Sequence, residues 1–385
     1  MKRLNIAFDA VPLISGRMTG IGWCEAGQTM ALAALHPENK YTYNYFSRKD
    51  HHIKRERIKP FAGKNISLKC SHFSGYVYRA ASALLPVPYS AFFGKKADIT
   101  HFFNYIAPPG VHGKVVITVH DMVYKAFPET VRKRTKFMLD IGLKKSMKRA
   151  DIIVTDSQFS KSEIIKYFPE YEKKIRVVPC GVDTDKFKPC GDPKKIAAVK
   201  KSLGIRGDYF LYLGTVEPRK NLERLIEAYS VFVKKAGKRP PLLVLAGGKG
   251  WLYDNIFKKV KDLGLDRYVI FTKYVPAEDM PPLMCGALSF VFPSIYEGFG
   301  MPPLEAMACG VPVLVSDSAS LPEVTGDCAV VCDAFSCESI ADGLLKLYLD
   351  PDLRKDLGRR GIRRAEQFTW KKSAEFLYNV YKELF

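Results

Sequence analysis

The feature that most constrains this chain is its repeated alternation of short β-rich runs with helical spacing. LNIAF, YTYNYF, ITHFF, VVITV, IIVTD and IRVVP occupy the first half, with helical patterns at about 22–35, 132–149 and 160–168. Short apolar runs are what strands covered on both faces look like, and the helices between them supply the crossovers that parallel strands require. At GVDTDKFKPCGDPKK the periodicity gives way to Gly, Pro and charge. A second series follows: YFLYL, LLVLAG, YVIFT, SFVFP, PVLVS and AVVCD, separated by helices such as NLERLIEAYSVFVKK. The pattern predicts an α/β chain of two doubly wound domains, 1–190 and 191–368, joined near 185–200. A length of 385 residues exceeds one ordinary compact core and agrees with two. The end, TWKKSAEFLYNVYKELF, sets Phe376, Leu377, Val380, Tyr381 and Leu384 on one stripe. It reads as a helix over 369–385 that crosses back to the N-terminal domain.

No run approaches the roughly 18–20 apolar residues of a membrane span. The start, MKRLNIAFDAVPLI, is interrupted by Asp9 and reads as a first strand, so the expected location is the cytoplasm. Nearly all of the net charge of +20 falls within residues 1–204, which points that half toward an anionic membrane, an anionic acceptor or nucleic acid. Two segments concentrate the charge, RKDHHIKRERIKPFAGK at 48–64 and RKRTKFMLDIGLKKSMKR at 132–149, where Phe137, Ile141 and Met147 offer an apolar side. Between them lies YVYRAASALLPVPYSAFFGKK, suited to shallow insertion. The expectation is a peripheral protein at the inner face of the cell membrane. Nucleic acid is not an expected partner, because the basic residues are dispersed and no helix-turn-helix, RNP or zinc-finger signature is present. The cysteines sit mostly in apolar segments, as Cys285 and Cys309 do, and the group Cys328, Cys332 and Cys337 lacks a CxxC pair and a nearby His. Buried free thiols are expected, with no metal.

The most specific segment is SIYEGFGMPPLEAMACGVPVLVSD. After the strand SFVFP come Glu297, Gly298, Phe299 and Gly300, and Met301-Pro302-Pro303 starts a helix. Glycines that let the backbone approach a ligand, followed by a helix N-terminus, make an anion site. Glu305 falls eight residues after Glu297 and is placed in the first turn, so two carboxylates flank one phosphate-sized site. They would repel a phosphate unless they met sugar hydroxyls. The counter-charge comes from GTVEPRKNLERLIEAY, with Arg219 and Lys220 at a helix entry after a strand. In the first half, TGIGW sets Gly20 and Gly22 between a strand and a helix, and VVITVHDMV ends an apolar strand on His120 and Asp121.

In this order, the glycine loop, TVHD, TDSQFSKSEI, VPCGVDTDKF, LGTVEPRKNL, EGFGMPPLEAMACGVPVLVSD and SLPEVTGDCAVVCD resemble the family four retaining glycosyltransferases of GT-B fold, over essentially the whole chain. The resemblance implies two Rossmann-like domains facing across a cleft, the first for an acceptor and the second for a nucleotide diphosphate sugar. By it, His120 lies over the donor sugar, Glu297 meets its hydroxyls, and the amide around Met301 meets the phosphate. Arg219 and Lys220 neutralise the diphosphate, Glu305 holds the ribose, and backbone near Val275 reads the base. It implies transfer of a hexose, with GDP-mannose the favoured donor, to a lipid-linked or glycan acceptor in cell-surface polysaccharide or glycolipid assembly. No cofactor or metal is implied. Asp183-Thr184-Asp185 spells DxD but belongs to the linker. Cys180, Trp23 and Lys273 depart from the family's usual residues, Lys273 standing where a glycine usually precedes the base-reading segment. The alternatives are a sugar-nucleotide epimerase of similar fold, which needs no basic acceptor surface, and a basic nucleic-acid-binding protein.

Overall fold

The computed structural model describes residues 3–16, 18–237, 239–248 and 253–385. It comprises two units, Met1–Gly181 with Trp370–Phe385, and Val182–Thr369. Val182 pairs with Thr369 at an isolated parallel bridge, so the two chain crossings between the units lie side by side.

The first unit is built on seven strands: β1 Asn5–Asp9, β2 Lys40–Phe46, β3 Ile66–Ser71, β4 Ile99–Phe102, β5 Lys114–Thr118, β6 Ile152–Thr155 and β7 Ile175–Val177. Their order is β3-β2-β1-β4-β5-β6-β7, and every pairing is parallel. The second unit holds β8 Tyr209–Leu213, β9 Leu242–Ala246, β10 Val269–Lys273, β11 Ser289–Phe292, β12 Val313–Ser316 and β13 Ala329–Cys332, in the parallel order β10-β9-β8-β11-β12-β13. In each sheet the order reverses once, between β1 and β4 and between β8 and β11. The crevice beyond the carboxyl ends of those two strands is where an open α/β sheet binds ligands.

The sequence reasons for these elements are visible in their burial. Every residue of β4, β6, β8, β11 and β12 is buried, as sheets covered on both faces demand. β3 was not anticipated: ISLKCS is an edge strand with half-exposed and exposed positions, so it lacks the continuous apolar run that marks its neighbours. Helix Leu222–Ala236 buries Leu222, Leu225, Ile226, Tyr229 and Phe232 at helical spacing. Gly247 adopts φ +148, and a Cβ there would collide with the carbonyl oxygen of Gly214, so the ends of β8 and β9 approach to backbone distance only because Gly247 carries no side chain.

The C-terminal helix Trp370–Lys382 packs on helix Gly20–Leu35 within the first unit. Gly27 makes the groove: a Cβ there would overlap the Trp370 ring. Gln28 Nε2 donates to Ser373 Oγ at 3.0 Å, and His101 Nδ1 lies 2.7 Å from the Tyr381 hydroxyl. Of the predicted stripe, Leu377, Val380 and Tyr381 are buried, but Phe376 points outward and Ala374 and Tyr378 take its place. Met147, expected on the apolar face of helix Lys133–Arg149, is buried in the core, whereas Phe137, Met138 and Ile141 are exposed.

Candidate active site

The switch point of the second sheet gathers most of the candidate residues. β8 ends at Leu213, and a 3₁₀ turn, Pro218–Lys220, delivers Arg219 and Lys220. Asn221 follows in the left-handed conformation, φ +61, which Asn tolerates better than most residues. Its Nδ2 donates to the carbonyls of Pro293 at 3.0 Å and Ala334 at 2.6 Å, locking the turn to the end of β11. Sequence reasoning gave Asn221 no role, although its position directly before a helical run was the available signal.

Glu297 follows β11 and bridges the two cations. Lys220 Nζ stands 2.5 Å from Oε1 and Arg219 Nη1 stands 2.8 Å from Oε2. Arg219 Nη1 also donates to the carbonyl of Tyr296 at 2.9 Å, and its Nε lies 2.8 Å from Glu217. Lys220 and Glu297 are each only 7% exposed, so this is a buried, hydrogen-bonded ion cluster with Lys220 seated 4.8 Å over the Phe292 ring. Burial works against ionising Glu297, but Arg219 and Lys220 outweigh it and hold its carboxyl at about 2. The same burial, with Arg219 beside it, lowers Lys220 from the ordinary lysine range. An ammonium has three N–H donors, and one of them meets Glu297 here.

Gly298 and Phe299 form the loop, which Ser320 Oγ pins by hydrogen bonds of 2.9 Å to the carbonyls of Glu297 and Phe299. Ser320 is a second residue that sequence reasoning missed. Phe299 is an anchor, buried and packed edge-on against Phe368 with ring centroids 5.7 Å apart. Gly300 caps helix Met301–Ala308 at φ +102, and a Cβ there would fall 2.7 Å from Leu321. No side chain caps this helix, which leaves its positive end open to a ligand's negative charge.

Glu305 is not in the first turn as expected; with Met301 as the first helical residue it is the fifth. It is half-buried, and burial pushes its carboxyl up to about 7, against a weaker downward pull from Lys186. Near neutral pH it is therefore divided between acid and carboxylate. Val275 is buried beyond β10, at the same carboxyl edge of the sheet. Lys273 ends β10 at φ +62. Its departure from a usual glycine is thus a side chain accepted at a left-handed position.

Gly20, Gly22 and His120 belong to the first unit. Gly20 is the first residue of its helix, and Gly22 is packed so that a Cβ would lie 3.1 Å from the Pro12 carbonyl, a close-packing reason for glycine. His120 has both ring nitrogens committed: Nδ1 is 2.6 Å from Asp156 Oδ2 and Nε2 is 2.8 Å from the Phe103 carbonyl. Both partners are acceptors, so the ring carries two protons. Burial opposes that charge, but Asp156 overrides it and raises the imidazole to about 10. A side chain so engaged supplies fixed positive charge within its unit rather than a mobile proton. Asp156, at the end of the apolar strand β6, was not singled out by sequence.

Elsewhere, Asp183 Oδ1 accepts from the amides of Asp185 and Lys186 at 3.1 Å each, so the DxD spelling is a turn. Among the described residues, the groups of His, Cys, Asp and Glu close enough to share a metal ion are His51, Cys70 and His72, and Cys24, Asp156 and Cys180. Cys328, Cys332 and Cys337 do not form one.

Residues 36–186 match the family described as Glycosyltransferase Family 4, and residues 196–364 match Glycosyl transferases group 1. The chain is 35% identical over 289 residues to the O-antigen chain mannosyltransferase B of Escherichia coli, covering 75% of each. It is 30% identical over 243 residues to a D-inositol 3-phosphate glycosyltransferase of Corynebacterium jeikeium, covering 61% of this chain and 58% of that one. Its fold is similar to that of HepE from Anabaena, crystallised with UDP and glucose, at a TM-score of 0.76 with 17% identity, over 99% of this chain and 100% of the other. It is also similar to that of WaaG, a glycosyltransferase involved in lipopolysaccharide biosynthesis, at a TM-score of 0.70 with 17% identity, covering 97% and 99%. With two parallel doubly wound sheets and a mannosyltransferase relative matched over three quarters of its length, the chain belongs to glycosyltransferase family 4 and has the GT-B fold.

Proposed function

We propose that this glycosyltransferase is a retaining hexosyltransferase that moves mannose from GDP-mannose to a lipid-linked or glycan acceptor in cell-surface polysaccharide or glycolipid assembly. The observation that carries the reading is the Arg219–Lys220–Glu297 cluster, set beside the uncapped helix start at Gly300. As the sugar–phosphate bond breaks, negative charge grows on the departing diphosphate. Arg219, Lys220 and the positive helix end, already fixed by Glu297, Ser320 and Asn221, lower that barrier without reorganising. Glu297 accepts from the sugar hydroxyls, Glu305 from the ribose, and backbone near Val275 meets the base. His120 serves as buried positive charge on the acceptor-binding unit. With two cations for the diphosphate, transfer needs no magnesium or manganese. The mannose preference rests on the E. coli relative's name, and the UDP in the HepE complex makes the base the point to test.

We also place the first unit at an anionic membrane surface. Tyr76 and Phe137 are 69% and 66% exposed, with Val77, Leu85, Met138 and Ile141 also exposed. Arg134 lies 5.3 Å over the Tyr76 ring, so helices Gly75–Leu84 and Lys133–Arg149 present one aromatic and basic face. Each cation near such a surface contributes about 1 kcal/mol, so half a dozen suffice for reversible docking. Tyr78, Tyr89 and Phe93, by contrast, are buried and belong to the core. None of the helices among the described residues is long and apolar enough to cross a membrane.

A thermal-shift panel of GDP, UDP, dTDP and ADP tests the donor, since a ligand that binds only the folded state raises Tm according to its affinity. GDP should give the largest shift, and a larger shift with UDP would remove the mannose assignment. NMR of the product should show the donor's anomeric configuration kept. An inverted product, or activity lost to chelation and restored by magnesium or manganese, would contradict the mechanism.

A further inference from the structure

A cluster in the first unit lies outside the sites described above and combines three metal-ligating side chains from two elements and the chain beyond one of them. Cys70 is in β3, and His72 follows just past that strand's last residue, Ser71. The chain bends at His72, and its imidazole shares one face with the Cys70 thiol, their ligand atoms lying within 4.8 Å of each other. His51, the first residue of helix His51–Ile58, comes to that face from the neighbouring connection. Its ring lies parallel to Tyr45, with centroids 6.4 Å apart at 7°, and 4.9 Å from the ring of His72. The frame beneath is the β2–β3 ladder, where Tyr45 pairs with Cys70 and Phe46 with Ser71, so Cys70 sits on the sheet and His72 directly beyond its last paired residue.

The spacing is that of a metal's ligands. Cys70 Sγ and His51 Nδ1 are 3.4 Å apart, and the three ligand atoms of His51, Cys70 and His72 all lie within 4.8 Å of one another. Tetrahedral zinc, with zinc–sulfur near 2.3 Å and zinc–nitrogen near 2.0–2.1 Å, sets its sulfur-to-nitrogen edge at about 3.5 Å. Two imidazoles and a thiolate are the borderline donor set that selects zinc over magnesium or calcium. His51 and Cys70 are half-buried and His72 is exposed, so an ion can enter and the fourth position faces solvent.

We propose that His51, Cys70 and His72 form a zinc-binding site with water as the fourth ligand. Binding releases the Cys70 thiol proton to solvent and forms one zinc–sulfur and two zinc–nitrogen bonds, so affinity rises with pH. The ion joins the start of a helix bearing Lys54, Arg55 and Arg57 to the edge of the sheet, and so fixes one of the two basic segments of the first unit.

The experiment titrates cobalt, a spectroscopic stand-in for zinc, into untagged full-length protein first stripped with chelator. One cobalt per chain should bind, with a thiolate-to-cobalt charge-transfer band in the near ultraviolet, an intense tetrahedral visible band, and displacement of both by zinc. C70A should abolish the charge-transfer band while leaving the thermal unfolding of the metal-free protein unchanged. H72A should weaken binding by at least the order of 10–100-fold that loss of even a supporting partner produces. Absence of the band in the wild type overturns the site. So does a band that survives C70A, which would put the metal on Cys24 and Cys180, or an affinity unchanged in H72A.

Discussion

The two units share a strand order through their first six strands and differ in what they place at the reversal point. In the second unit the ionic groups are matched: Glu297 satisfies both Lys220 and Arg219, and Ser320 and Asn221 hold the loops that carry them. In the first unit His120 is matched by Asp156, but the interior also holds a buried acid without a partner. Glu25 is fully buried with neither carboxyl oxygen hydrogen-bonded, and burial, with Asp9 adding to it, pushes its pKa well up. The surfaces differ as well, because nearly all of the net charge lies in the first half of the sequence. A preorganised cluster with two cations fixed on one carboxylate suits an invariant ligand part such as a diphosphate. A basic face with exposed aromatic residues suits a partner that is large and anionic.

The largest effect expected from this contrast is on turnover. E297Q and K220A should each reduce transfer on the order of 100-fold or more, the scale of losing a preorganised charge at a transition state. Each also breaks a buried pair and should lower stability by about 3–5 kcal/mol. Activity therefore has to be measured where circular dichroism shows the variant folded, and wild-type rates there would dissolve the contrast between the units.

The next effect is on stability against pH. His120 has its folded pKa raised to about 10, above the ordinary value of about 6.5. Its contribution is fully present below about 6.5, declines above that, and is gone once pH passes about 10. H120Q should remove this part of the decline in Tm between those limits, and a variant with the wild-type slope would mean that the imidazole is neutral.

A smaller change should separate Glu305 from the rest. With its carboxyl near 7, nucleotide binding through ribose hydroxyls favours the ionised form, so affinity should rise as pH increases through 7. The terminal phosphate of a free nucleoside diphosphate also titrates near there, with a second pKa of about 6, so the informative quantity is the difference between wild type and E305Q. Identical pH profiles by calorimetry would remove Glu305 from the ribose.

The smallest effect belongs to the surface of the first unit. F137S combined with I141S should weaken co-sedimentation with anionic vesicles on the order of 10-fold, as two partly inserted apolar side chains are lost. Binding should fade with added salt. Equal binding to neutral and anionic vesicles would leave the exposed face without a membrane role.

Legibility in the sequence follows the same division. The inner strands β8, β11 and β12 of the second unit and the glycine turn at Glu297–Gly300 were readable because buried parallel strands are apolar throughout and the turn's residue types are forced by backbone geometry. β3 was not readable because an edge strand alternates exposed and covered positions. Glu297 could be named as a candidate, but its double pairing with Arg219 and Lys220 could not, since it depends on β8 and β11 being neighbours though far apart in sequence. His120 stood out at the end of an apolar strand, whereas its charge depends on Asp156 arriving from β6 and Phe103 from beyond β4. Phe376 and Met147 were misplaced because a stripe read from apolar residues alone does not show which of them turn to the core and which to solvent.

The most direct test of the central claim is a calorimetric titration of the nucleoside diphosphate that stabilises the protein most, into wild type and into K220M. The methionine keeps much of the volume of Lys220 and leaves Glu297 paired with Arg219. If the cluster is the diphosphate site, K220M loses affinity by at least the order of 10-fold, the loss of a charged hydrogen bond being worth about 1.5–3 kcal/mol, while binding of the bare nucleoside is unchanged. Equal diphosphate affinity in the two proteins, both folded, would contradict the assignment.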